Sequence, residues 1–355
     1  MLRAASFLLA LWASPSLRHM QAASAAAAAP GGTFGRLPLQ NMAIKPASLQ
    51  QYLKDLNKFL SHARLSHQQF MHMPAAAIDW QLAVFIQHMY DVQQPFQYAA
   101  NALCAAIFFR QSLKLLLPTA RQCLKGWNRN RKKESHPPLT WELTVVIACT
   151  LARSHHCAAA MAMLLGFDCY LRVGELLGLR RCDVILPNDS RMGQAHTHMA
   201  VVCKAAKTGD NQSVTIDRPV VGTLLCRWLE LLPDKTPHAL VFAGLLPARF
   251  RTLMKDACSV LGVGDTPYVP HSLRHGGATA DFLRTQNIEH VQFRGRWKHQ
   301  QTARVYLQTA RALLAALQVP PRLNELGIAL DADLLHTLGG LLAPPVVSRR
   351  VRFRL

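Results

Sequence analysis

A mainly α-helical chain with one small antiparallel β-sheet, organised as two domains, is the fold class this sequence predicts. Three observations predict it. Apolar residues recur at three- and four-residue spacing through most of 46–317. Strand-like text is confined to the stretch between Val184 and Ile216. A cationic segment at 125–138, ending in Pro137-Pro138, interrupts the helical periodicity between two apolar blocks. At 355 residues the chain is long enough for each block to bury its own core.

Composition narrows the function class. Lys plus Arg number 40 against 20 Asp plus Glu, for a formal charge of +20, while apolar residues make up 50% of the chain and charged residues 17%. That balance excludes a wholly disordered protein. The cationic excess points to a polyanionic partner, either nucleic acid or an anionic membrane face. The nine cysteines are odd in number and include no C-x-x-C pair, which excludes a zinc ribbon and argues against a disulfide framework. They read as reduced thiols, mostly buried.

Residues 1–45 contain no Asp or Glu and carry Arg3, Arg18, Arg36 and Lys45. Their apolar stretch, Ala4 to Ala13, is too short to span a bilayer, which takes about 20 residues. The segment reads as a low-complexity or targeting leader: a signal h-region, an organelle transit peptide, an unstructured tail or a misassigned start. No other stretch is long and apolar enough for a transmembrane helix, so no stable membrane association is expected.

A helical domain is expected over 46–124. Ser48 is a candidate N-cap for a helix with Leu49, Tyr52, Leu53, Leu56, Phe59 and Leu60 on one face. Ile78, Leu82, Phe85, Ile86 and Met89 mark a second helix, and a third runs from about Tyr98 to Leu117 and stops at Pro118. The linker, 125–138, holds Arg129, Arg131, Lys132 and Lys133. It is either a solvated loop or a segment lying along phosphates.

The second domain is expected over 139–320, with Thr140 as N-cap and helices at 140–153 and 155–167. Strands follow at Val184-Ile-Leu, Met199-Ala-Val-Val-Cys and Ser213-Val-Thr-Ile, the last two joined by a turn-forming stretch with Lys204 and Lys207. Helical text resumes at 219–232, 249–261, 272–285, 287–294 and 302–317. A C-terminal segment and basic tail, 321–355, close the chain. There is no internal repeat.

Several residues in this domain have plain structural readings. Arg172 and Glu175, at i, i+3, suit an ion pair. His271-Ser-Leu-Arg274 is a short pattern in a chain with 16 His. Tyr306 suits a core aromatic. Order and spacing change the reading. Arg172-Val-Gly-Glu-Leu-Leu-Gly-Leu, Lys207-Thr-Gly between two strands, His271-Ser-Leu-Arg274-His275, and Gly295-Arg-Trp297 with Tyr306 nine positions later occur in that sequence. In these motifs the chain resembles the tyrosine recombinase (phage integrase) family, closely over 140–317 and more loosely over 46–130.

The resemblance implies a helical DNA-clamping domain followed by a catalytic domain that cleaves and rejoins DNA. Six catalytic positions are implied: Arg172, Lys207, His271, Arg274, Trp297 and Tyr306. Most members have His where this chain has Trp297, although one branch also carries Trp. Lys204 competes with Lys207 for the lysine position; Lys207-Thr-Gly matches the family's hairpin and is preferred, leaving Lys204 with Arg129, Arg131, Lys132 and Lys133 as candidate DNA contacts.

The implied chemistry requires such a set. Attack by a side chain on a phosphodiester passes through a phosphorane with extra negative charge, which two guanidiniums, Arg172 and Arg274, can grip by forked hydrogen bonds. Tyr306 would form a 3′-phosphotyrosyl bond and leave a 5′-hydroxyl. A free Tyr ionises near pH ~10, so it needs the arginines' field and a base such as His271. Lys207 would protonate the leaving oxygen. Trp297 would offer its indole N–H to a phosphate oxygen and buttress the helix of Tyr306, with Glu175 orienting Arg172 and His275 in support.

No metal, ATP or other cofactor is required. Exchange between duplexes implies a homo-tetramer on two double-stranded DNA molecules. The stretch Ile328 to Leu342, with Leu330, Leu334, Leu335, Leu338 and Leu341, is either a segment that docks on a neighbouring protomer or a helix packed on its own domain. Location is expected to be the nucleus in a eukaryote and otherwise the cytoplasm or nucleoid, with organelle import through the leader as the alternative. The rival readings are a type IB topoisomerase-like strand transferase, an inactive or domesticated DNA-binding module of the same fold, and a secreted or organellar basic protein.

Overall fold

The computed structural model describes residues 38–131, 136–187, 189, 191, 197–203, 212–307, 313 and 319–342. Lys132, Lys133, Lys204, Lys207, the basic tail and nearly all of the leader lie outside the described residues. The chain forms two compact units, Met1–Lys133 and Glu134–Leu355.

Among its described residues the first unit holds helices and no strand: α1 (Pro38–Met42), α2 (Pro46–Ala63), α3 (His67–His72), α4 (Ala75–Asp91), α5 (Phe96–Phe109) and α6 (Pro118–Asn130). Its core is built where the apolar periodicity places it. Leu56, Phe59 and Leu60 of α2 meet Ile78, Leu82, Phe85, Ile86 and Met89 of α4 and the alanine face of α5, Ala99, Ala102, Ala105 and Ala106. Small side chains on α5 bring its backbone close to its neighbours. Oδ2 of buried Asp55 accepts from Gln51 at 2.7 Å and from Asn101 at 2.9 Å. Asp79 of α4 caps α6 from a distance, accepting the N–H groups of Thr119 at 3.0 Å and Ala120 at 2.9 Å.

Three expectations are corrected here, two by one mechanism. Helix α2 begins at Pro46 with Lys45 as N-cap, not at Ser48. Pro118 does not end a helix but starts α6, while α5 already stops at Phe109. Proline lacks the N–H that a first turn leaves unused and its φ is preset for the helix, so here it marks starts. The third concerns the linker: Lys125–Asn130 are the last turns of α6.

In the second unit Thr140 caps α7 (Trp141–Arg153), its Oγ1 accepting the Leu143 N–H at 3.2 Å. Helix α8 (Cys157–Asp168) is apolar all round and buried from Ala159 onward, so it is the centre on which the unit is assembled. Around it lie α9 (Val173–Leu177), α10 (Pro219–Leu231), α11 (Pro247–Val260), α12 (Pro270–Thr285), α13 (Ile288–Arg294), α14 (Gln300–Tyr306), α15 (Pro321–Ala332) and α16 (Leu334–Leu342). The antiparallel sheet has β1 (Val184–Ile185), β2 (Ala200–Cys203) and β3 (Gln212–Thr215) in that order. Val184, Val201 and Val214 are paired across it and all buried, so one face of the sheet seals the core.

Helix α12 is held unusually close to its support. A Cβ on Gly277 would stand 2.0 Å from the Phe167 carbonyl oxygen, and one on Gly276 would stand 2.1 Å from that of Leu139. Only glycine permits that approach. Leu334, Leu338 and Leu342 are buried in this unit's own core. The nine cysteines are free thiols, four buried and one, Cys104, exposed. Among the described residues no helix is long and apolar enough to cross a membrane.

Candidate active site

Four short segments far apart in sequence meet at the N-terminal end of α12. Pro270 opens that helix, and the Ser272 hydroxyl accepts the Val269 N–H at 3.2 Å. His271 and His275, one turn apart, then project together, with ring centroids 4.9 Å apart. Arg274 is fully buried. It donates through Nη1 to the carbonyl of Tyr170 and through Nη2 to that of Gly295 at 2.7 Å. Its guanidinium lies over the rings of Trp297, 4.6 Å away, and Tyr306, 5.2 Å away.

The Tyr306 ring is enclosed by the other candidates. Its centroid is 4.8 Å from His275, 5.5 Å from His271 and 4.7 Å from Trp297. Its carbonyl accepts Thr279 Oγ1 at 3.2 Å, and the His275 ring is hydrogen-bonded to its backbone, so the end of α14 is tied to α12. Burial, then the positive charges of Arg274 and Arg172, push the His271 pKa down, with His136 adding to the shift. Burial and His271 lower that of His275 to about 4. Both imidazoles are therefore neutral at pH 7, the form that can accept a proton.

Arg172 stands at the head of α9 with its side chain partly exposed. Glu175 receives its backbone N–H at 2.9 Å on Oε2 and its Nη1 at 2.6 Å on Oε1. Arg296 Nη2 takes the same Oε2 at 2.6 Å from the opposite side. Burial would raise the Glu175 pKa, but Arg296 and Arg172 outweigh it and hold the carboxyl below its ordinary value. Burial, Arg172 and Arg296 together lower the pKa of Arg274. Two guanidiniums, Arg172 and Arg296, thus share one carboxylate, with that of Arg274 close enough to feel both. Among the described residues the indole Nε1 of Trp297 and the Nε of Arg274 are buried donors with no acceptor.

The Gly295-Arg296-Trp297 turn delivers two of these groups. It closes α13 in a Schellman arrangement, with Trp297 N–H on the Gln292 carbonyl at 3.1 Å and Arg296 N–H on that of Phe293 at 3.0 Å. A Cβ on Gly295 would overlap the Trp297 ring at 1.9 Å.

No protein-family model matches the sequence, and no curated protein matches it. Solved structures do. The XerH site-specific recombinase bound to palindromic difH substrate, in a post-cleavage complex, is 17% identical with a TM-score of 0.51, over 76% of this chain and 79% of that one. The Tn1549 transposon integrase in complex with circular intermediate DNA is 12% identical with a TM-score of 0.53, over 76% of this chain and 94% of that one.

The chain has the tyrosine recombinase fold.

On that fold, five of the six positions expected to be catalytic come together: Arg172, His271, Arg274, Trp297 and Tyr306. Lys207, and Lys204 beside it, lie outside the described residues. Glu175 and His275 are in the cluster. Arg129 and Arg131 are exposed at the end of the first unit, Arg131 stacked at 4.3 Å over Phe96. Tyr268, the other tyrosine near α12, is buried in the main core, where burial raises its pKa to about 12.

Sequence reasoning missed Arg296 and, behind the candidate site, a polar knot around Arg294. Arg294 meets Asp217 at 3.1 Å, Asp281 at 3.3 Å, the Tyr170 hydroxyl at 3.0 Å and the Asp168 carbonyl at 2.8 Å. Asp281 also accepts from Tyr170 Oη and Arg284. The knot fixes Tyr170 at φ 41, and it is the Tyr170 carbonyl that receives Arg274. The available signal was the adjacency of Arg294 and Arg296 to the Gly-Arg-Trp motif.

Proposed function

We propose that this chain is a site-specific DNA recombinase or integrase that cleaves and rejoins double-stranded DNA through a 3′-phosphotyrosyl bond to Tyr306, without metal or ATP. The observation that carries the proposal is the packing of Tyr306 against His271, His275, Trp297 and Arg274, which brings together residues from three separate motifs. In the reaction Tyr306 Oη bonds to phosphorus and the bond to the 5′-oxygen breaks. His271 takes the phenol proton. Arg172 and Arg274 hold the non-bridging oxygens, and an oxygen there satisfies the buried Nε of Arg274 and the indole N–H of Trp297. Lys207 is the acid that protonates the departing 5′-oxygen. Reversal by a 5′-hydroxyl of a second duplex exchanges strands, for which four chains on two duplexes are needed.

The test is to incubate the purified chain with nicked duplexes and look for covalent protein–DNA adducts. Wild type should form them. Tyr306→Phe should bind the duplex and form none; an adduct-forming Phe variant would remove Tyr306 as the nucleophile. DNA binding without adducts from wild type would leave a DNA-binding module, and relaxation of one supercoiled duplex without exchange would indicate a topoisomerase.

A further inference from the structure

Position 296 is occupied by the wrong kind of residue for its backbone. It is the left-handed residue that ends α13, at φ 56, in a turn whose geometry favours glycine. A side chain there is strained, and this one is also a buried cation, with its side chain 3% exposed. What it reaches is Glu175, 121 positions earlier in the chain, through a 2.6 Å ion pair on Oε2.

The carboxylate of Glu175 has two oxygens and two arginine side chains competing for them. Arg172 Nη1 holds Oε1 at 2.6 Å, and Arg296 Nη2 holds Oε2 at 2.6 Å. An arginine and a carboxylate left alone favour a bidentate, fork-to-fork pair. Arg296 occupies the oxygen that such a pair would use.

Resting on the phosphotyrosine reaction proposed above, we infer that Arg296 is a positioning residue: by holding Oε2 of Glu175 it keeps the Arg172 side chain on that carboxylate through a single guanidinium nitrogen, beside the backbone N–H, and leaves the rest of its guanidinium for the scissile phosphate. Loss of Arg296 leaves Oε2 with the Arg172 backbone N–H alone, Arg172 turns its fork onto Glu175, and the phosphate loses one of its two cationic grips. The effect is on the rate of the bonded complex, not on duplex affinity, which is spread over many phosphates.

The experiment measures adduct formation at saturating nicked duplex, with duplex affinity and melting temperature, for wild type, Arg296→Gly, Arg296→Gln and Arg296→Lys, each with and without Glu175→Gln. Arg296→Gly relieves the backbone strain, so the chain should melt no lower than wild type. Its adduct rate should nevertheless fall roughly 10- to 100-fold, with affinity unchanged. Arg296→Lys should recover part of the rate. The decisive result is the sign of the double variant: Glu175→Gln no longer attracts the fork of Arg172, so Arg296→Gly with Glu175→Gln should be faster than Arg296→Gly alone. Arg296→Gln, which keeps a side chain at this position but is too short to reach Glu175 as Nη2 does, gives the same comparison should the glycine chain not fold. A wild-type rate in Arg296→Gly, or a double variant as slow as or slower than the single, overturns the inference. Failure of wild type to form any adduct overturns the reaction itself, and the two failures are thereby told apart.

Discussion

Arg294 and Arg296 sit two residues apart on either side of Gly295, both buried, and meet opposite electrostatic surroundings. Arg294 faces three aspartates, Asp168, Asp217 and Asp281, along with the Tyr170 hydroxyl. Burial would lower its pKa, but Tyr170 and these carboxylates raise it above the ordinary arginine value. Arg296 shares the single carboxylate of Glu175 with Arg172, and the pKa of neighbouring Arg274 is pushed down by burial and by both of them. One cluster carries carboxylate to spare and the other lacks it. The lesson is that charge balance, more than burial or residue type, separates an arginine fully met by carboxylates from arginines left short of counter-charge.

The comparison is broken most directly on the cation-rich side. Arg274→Lys keeps one charge but loses the planar fork, and adduct formation at saturating DNA should fall about 10²–10³-fold or more. A rate within a few-fold of wild type would show that the buried guanidinium is scaffolding. On the other side, Asp281→Asn removes a carboxylate that serves Arg294, Arg284 and Tyr170. Chemical denaturation of the second unit should show a loss of about 3 kcal/mol. Loss of adducts from Asp281→Asn with stability intact would erase the division between the two clusters.

The third prediction uses acid. A buried His275 with its pKa depressed to about 4, against about 6.5 unfolded, binds its proton more weakly folded than unfolded. Its contribution is therefore fully present above pH ~6.5 and lost as pH falls toward about 4. The melting temperature of the second unit should drop across that window, and His275→Gln should flatten the drop. An equal slope in the variant would place the acid sensitivity elsewhere. The smallest effect belongs to the first unit. Arg129→Gln with Arg131→Gln should reduce the slope of log affinity against log salt by about 1.8 if both touch phosphate, with the adduct rate at saturation unchanged. An unchanged slope would return both to solvent.

How far the sequence reaches can be seen residue by residue. Periodicity located the helices that bury a regular stripe, such as α2 and α4, and Thr140 was legible as a cap because its partner, Leu143, is three residues away. Pro46 and Pro118 misled because proline both ends and begins helices, and which it does depends on what lies upstream. The motifs that the structure gathers around Tyr306 were legible because each is a short local run of residues. The Glu175–Arg296 pair was not: an ion pair between segments 121 positions apart leaves no period, and an arginine in a left-handed turn follows no propensity. Asp281 and Arg294 were hidden likewise, since a knot assembled by tertiary packing has no linear signature.

The capping of α6 by Asp79 bears on the order in which the first unit assembles. Helix α6 has no side-chain cap of its own and no acidic residue in its first turn, and Arg121 stands near its positive dipole end. As an isolated peptide it would be a poor helix. Its first amides find their acceptor forty residues upstream, on α4, so the helix can be completed only after α4 is in place. Helix α6 thus belongs to the late-forming and first-opening part of the unit, where Thr119 and Ala120 would exchange their amide protons sooner than the residues of α4.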